Sequence, residues 1–192
     1  MELVVRLHLY HLRHRIPYRI RHVADPICWT EVPEDIATLR RQRSRWQRGL
    51  AESLAMNVRL PLLRRAGVPG RVAWPFMAFF EGVGPLIELT GYLFMTIGFL
   101  TGVVSGPAFA AFLVVAVGFG MLLSVSALLL ETVSFRVYDR RDDLLRLFLA
   151  AIIENFGYRQ INTFWRCQGL WQWARRRQRV WGRMRRVADW TS

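Results

Sequence analysis

The chain has 192 residues, a formal net charge of +13, and 53% hydrophobic against 21% charged residues; with a mean hydropathy of +0.17 it reads as one small domain with membrane spans rather than an ordinary soluble protein. All 27 basic residues are arginine, a compositional bias that makes the charge a weaker pointer to nucleic acid than its size suggests, so no nucleic-acid partner is expected. Cys28 and Cys167 lie far apart and outside any metal-ligand spacing, which argues against a zinc site and favours reduced side chains over a disulfide.

Residues 2–15 alternate apolar and basic positions at helical spacing (Leu3, Leu7, Tyr10) and lack the apolar core of a signal peptide. His8, His11 and His14 recur at every third position, but neighbouring arginines disfavour a bound cation and no carboxylate completes a set, so no metal is expected there. Residues 18–24 resemble a short strand, followed by a loop over 25–32 that Pro26 interrupts. Pro33 fits the first position of a long helix, with Glu34 and Asp35 near its positive end. On that helix Gln42, Arg45 and Trp46 stand at i, i+3 and i+4 and share one face.

The next segment is almost purely apolar. Residues 108–130 carry no charge, and as a helix they would run roughly 35 Å, enough for the ~30 Å hydrocarbon layer of a bilayer. Residues 86–104 make a second span, with 74–84 lying shallower or continuing it past Pro85, and the turn 105–107 (Ser-Gly-Pro) closes an antiparallel hairpin. Glu81 and Glu88 are seven residues apart on one face of this run; they would either line a polar path or lie near the interface and pair with arginines from the basic segment, and pairing is the expectation. Arg64, Arg65 and Arg71 precede the hairpin and Arg136, Arg140 and Arg141 follow it, while its turn is uncharged. The positive-inside rule then puts both flanks in the cytoplasm.

Residues 142–173 are too short for two further spans. Tyr158, Phe164, Trp165, Trp171 and Trp173 suit a helix at headgroup level, ahead of a basic tail that would lie against anionic lipid.

The chemistry concentrates on residues 42–46. An arginine presents a forked, permanently charged donor set to phosphate oxygens, a glutamine bonds phosphate or hydroxyl groups, and a tryptophan face packs on the C–H face of a sugar. On these residues alone a juxtamembrane helix with solvated arginines fits equally well. Gln42-x-x-Arg45-Trp46, together with the preceding Trp29-Thr30-Glu31, the following hairpin and the stretch Glu154–Gln160 (ENFGYRQ), resembles the C-terminal region of bacterial membrane-integrated family 2 glycosyltransferases, the group of cellulose, chitin, hyaluronan and poly-N-acetylglucosamine synthases.

The resemblance implies that Gln42 and Arg45 face the donor diphosphate, that Trp46 stacks on the acceptor sugar, and that Trp29, Thr30 and Glu31 belong to an active-site loop. It also implies that the catalytic base lies in an acidic motif upstream of Met1. The chain lacks an Asp-x-Asp metal motif. It is therefore expected to bind no cofactor itself, with Mg2+ or Mn2+ required by the complete enzyme, and to be an inactive fragment lacking its donor-binding half.

The expected fold class is mainly α and membrane-bound: residues 1–72 as the remnant of a GT-A α/β domain, 73–135 as the transmembrane hairpin, and 136–192 as interfacial helix and basic tail. The expected function is inverting transfer of a sugar from a nucleotide sugar to a saccharide or lipid acceptor, at the cytoplasmic face of the bacterial inner membrane, with both termini cytoplasmic. The partners are membrane lipid, those substrates and the missing N-terminal half. The alternative is a small non-enzymatic membrane protein that binds anionic lipid or a partner subunit.

Overall fold

The structure is a computed structural model and describes residues 2–21, 32–63, 65–135 and 141–176. The loop with Trp29, Thr30 and Glu31, Cys28, Arg64, residues 136–140 and the arginine tail beyond Arg176 lie outside these. The described residues are mainly helical and contain no strand. Residues 18–21, the described part of the expected strand, have no regular structure. A lone strand has no neighbour to take its backbone N–H and C=O groups, so nothing favours the extended ladder there.

The helices are α1 (Glu2–His14), α2 (Ile36–Met56), α3 (Trp74–Phe76), α4 (Gly84–Leu100), α5 (Gly106–Phe135), α6 (Arg141–Ile153) and α7 (Tyr158–Ala174). Residues 74–84 continue the first apolar span, because α3 and α4 belong to one unbroken helix, Pro69–Leu100. Two π-helical stretches, Pro69–Ala73 and Met77–Val83, flank α3. Prolines at 69, 75 and 85 supply no N–H, and the wider turns carry the hydrogen-bond ladder past them. Trp74 N–H thus reaches back to the Pro69 carbonyl and Gly84 N–H to the Phe79 carbonyl.

This helix and Gly106–Ser134 are each long and apolar enough to cross a membrane, and in each an apolar stretch of 18 residues is only 6% buried within the protein. Phe94, Val114 and Leu130 are about 70% exposed. Apolar side chains facing outward all along two such helices suit a hydrocarbon surrounding rather than a soluble core.

The chain packs as two units, Met1–Pro85 with Trp165–Ser192, and Leu86–Phe164. In the second, Tyr92 meets Phe112 and Phe99 stacks on Phe109, so the α4 and α5 segments run antiparallel, as the hairpin reading requires. The link is longer than the expected 105–107. The first span ends at Leu100, Gly102 takes a left-handed φ of 75°, and Gly106-Pro107 opens α5, where a proline's missing N–H is harmless.

In the first unit the buried hydrophobic residues are few: Ala51, Leu60, Ala66 and Trp165. Polar side chains fill much of the remaining contact. Ser44 donates to the Trp165 carbonyl at 2.9 Å and Arg40 Nε to Gln168 Oε1 at 2.9 Å. Gly169 permits this approach, since a Cβ there would run into the Ser44 carbonyl oxygen and lie 3.1 Å from Gln47 Cβ. Gly118 of α5 has open space at the same test. Gly169→Ala is therefore expected to destabilise the detergent-solubilised protein by about 1–3 kcal/mol through overpacking. Gly118→Ala should leave the denaturation midpoint where it is or raise it.

Candidate active-site helix

Asp35, not Pro33, starts α2. Its backbone is extended (φ −114°, ψ 147°) and its Oδ1 accepts from Thr38 N at 2.7 Å, a side-chain cap that satisfies one of the free amides of the first turn. Hydrogen bonds from the Thr38 side chain and amide hold the Asp35 carboxyl below its usual pKa. The capping carboxylate thus wins over the proline in setting where the helix begins.

Successive residues of an α-helix are roughly 100° apart about its axis, and α2 uses opposite sides for different purposes. Ser44, Gln47 and Ala51 are buried and cluster on the side that packs against residues 165–169. Gln42, Arg45 and Trp46 cluster roughly half a turn away. Gln42 is half-buried, Arg45 is exposed and Trp46 is 54% exposed. The three residues of the motif do share one face, and that face is turned away from the packed side. Arg43 lies beside them, its guanidinium 5.0 Å from the centre of the Trp46 ring, which orients one indole face and adds a cation–π attraction. The face therefore offers guanidinium groups, an amide and an aromatic plane: a donor set for phosphate oxygens next to a platform for a sugar ring.

The packed side of α2 was not legible as such in the sequence. Gln47 is 4% exposed; its Nε2 donates to the Glu81 carbonyl at 2.7 Å and its Oε1 accepts from Arg166 Nε at 2.8 Å. Arg166 Nη2 donates to the same carbonyl at 2.9 Å and to Glu81 Oε2 at 2.6 Å. A serine and a glutamine spaced at i, i+3 where apolar residues belong was the available signal.

Glu88 is paired as well. In the second unit its Oε1 accepts from Arg159 Nε at 3.0 Å and its Oε2 from Thr163 Oγ1 at 3.1 Å. Both acidic residues of the apolar run are thus paired, as expected, though with arginines of α7 rather than of the basic segment. Arg159 also reaches the buried Asn155, 1% exposed, and both lie against Gly120.

The histidines of α1 are engaged locally. Tyr18 Oη lies 2.6 Å from His8 Nδ1, His11 Nδ1 is 2.8 Å from the Leu7 carbonyl, and His14 packs on Tyr10. Among the described residues no three of His, Cys, Asp and Glu are grouped closely enough to hold a metal ion.

A family model described as "Glycosyl transferase family group 2" matches residues 2–129, two thirds of the chain, covering α2 and nearly all of α5. Comparison with curated proteins and with solved structures gave no match.

Burial, and then the neighbouring His11, push the His8 pKa below 6.5. The unfolded chain then binds the proton more readily than the folded one. The contribution of the His8–Tyr18 contact is complete above pH 6.5 and is lost as pH falls from 6.5 through the folded value. Proton NMR of the imidazoles should give His8 a midpoint below 6.5, with amide exchange in α1 accelerating as His8 titrates. A midpoint at or above 6.5 contradicts this.

Proposed function

Because the chain belongs to family group 2 of the glycosyl transferases, we propose that α2 carries the leaving-group and acceptor side of a sugar-transfer site on a membrane anchor. Gln42 and Arg45 bind the diphosphate of a nucleotide-activated sugar, and Trp46 stacks on the acceptor. The observation that carries this reading is the division of α2 into a packed side and an opposite, open side on which the three side chains stand together.

In this proposal a hydroxyl of a saccharide or lipid acceptor displaces the nucleoside diphosphate from the anomeric carbon with inversion. The guanidinium of Arg45 stabilises the negative charge gathering on the departing phosphate oxygens, and the Trp46 plane fixes the acceptor ring so that its hydroxyl is aligned for attack. The sequence holds no Asp-x-Asp, so the donor-binding side of the cleft, with its base and its cation site, is assigned to a segment outside these 192 residues. The two long apolar helices support a membrane location, and the arginine-flanked hairpin supports cytoplasmic termini. A bacterial inner membrane and a polysaccharide product follow from the resemblance to the synthases.

In an active enzyme that includes this chain, Arg45→Lys loses the forked contact and should cut turnover at least about tenfold, ~1.4 kcal/mol of transition-state stabilisation. Trp46→Ala should raise the acceptor KM more than the donor KM, read by nucleoside diphosphate release at varied concentrations of each. Unchanged kinetics in both variants would leave α2 a juxtamembrane helix and the chain a non-enzymatic membrane protein.

A further inference from the structure

The residues just before Pro85 are π-helical, Gly84 N–H reaching back five residues to the Phe79 carbonyl, and Pro85 has no N–H to continue either register; within this irregular stretch stands the Glu81 carbonyl oxygen. That oxygen is the one gripped by Gln47 Nε2 and Arg166 Nη2, at 2.7 and 2.9 Å. The grip is closed on itself, since Arg166 Nε also donates to Gln47 Oε1 at 2.8 Å. Pro85 is itself fully buried, and its own carbonyl accepts from Cys167 Sγ at 3.3 Å.

We propose that Gln47 and Arg166 are positioning residues for the transfer reaction. They fix the depth and rotation of α2 by holding the Glu81 carbonyl of the π-helical stretch ahead of Pro85 in the first apolar helix. This rests on the reading of Gln42, Arg45 and Trp46 as the reaction face.

Three features carry the assignment. Gln47 follows Trp46 directly, so a rotation of α2 that breaks the grip turns the indole and Arg45 by the same angle. Gln47 uses its donor and its acceptor at once, which neither glutamate nor methionine of similar size does. Arg166 spends two nitrogens of its fork on different acceptors, which a lysine's single ammonium centre does not reproduce. The buried apolar contact around them is thin, so directional hydrogen bonds rather than packing hold the orientation of the helix.

The test uses the whole chain in lipid nanodiscs, read by amide hydrogen exchange. Arg166→Ala, Gln47→Ala and Pro85→Ala should each accelerate exchange over residues 36–50 at least about fivefold, with exchange over 106–134 unchanged. Pro85→Ala is the decisive variant. Alanine improves helix propensity and supplies an N–H at position 85, which lets the π-helical stretch tighten to an α-helix in which that N–H takes the Glu81 carbonyl, so a purely structural role for the proline predicts slower exchange there, not faster. The Gln47→Ala/Arg166→Ala double variant should be no worse than either single one, as expected for one shared device. Unchanged exchange over 36–50 in Arg166→Ala and Pro85→Ala overturns the tether.

In an active enzyme containing this chain, Arg166→Ala should lower kcat at least about tenfold while the donor KM stays within about twofold, and Arg166→Lys should recover part of the loss. Altered exchange with unaltered kcat overturns the positioning role. If Arg45→Lys is silent while exchange responds, the reaction-face reading fails and the tether stands.

Discussion

A helix in hydrocarbon must satisfy its own backbone, because no water is present to take an unpaired carbonyl. The first apolar helix meets that constraint with prolines at 69, 75 and 85; Pro69 opens the helix, where no donor is needed, and Pro75 and Pro85 leave the ladder a donor short. Two π-helical stretches absorb part of the deficit. Within the second of them the Glu81 carbonyl is also held from outside, by a glutamine of α2 and an arginine of α7. The arrangement of α2 follows from that requirement: the side of the helix that answers the carbonyl must face the anchor, and the opposite side is left open.

The same logic separates the arginines by use. Arg166 and Arg159 divide their nitrogens among several acceptors and neutralise Glu81 and Glu88. Arg48 pairs with Glu52 one turn along α2, and Arg175 covers the Trp171 ring at 4.1 Å. Arg43 and Arg45 belong to the open face. A composition that contains arginine alone hides this division, because nothing in the residue type marks which guanidinium is structural.

Periodicity and length in the sequence gave away α1, both apolar helices and the shared face of Gln42, Arg45 and Trp46. These features depend on local spacing alone. The first residue of α2 is Ile36, three beyond Pro33, because Asp35 is the better cap, and the turn of the hairpin comes earlier than expected because of the left-handed Gly102. The strand expected at 18–24 rested on residue type alone, and its described part, 18–21, has no partner strand among the described residues. Gln47 and Arg166 were invisible because their role is set by a carbonyl 34 or more residues away. No one-dimensional pattern reports which carbonyl of an irregular helix is held from outside. The pairing of Glu81 and Glu88 was legible from the cost of an isolated charge, though not the identity of their partners.

The stretch Glu154–Gln160 contributed to the family resemblance, yet the structure employs it in a turn. Asn155 Nδ2 donates to the Ala151 carbonyl, the Gly157 amide to Gln160 Oε1, Gln160 Nε2 to the Asn155 carbonyl, and Glu154 Oε1 accepts from Ser124 Oγ. Gly157 takes a φ of 92°, a conformation that favours glycine. The polar groups at this bend largely answer one another, so the chain reverses between α6 and α7 while asking little of the solvent. A corner wired in this way keeps its shape from within, so the reversal between α6 and α7 does not depend on a neighbouring element to fold it.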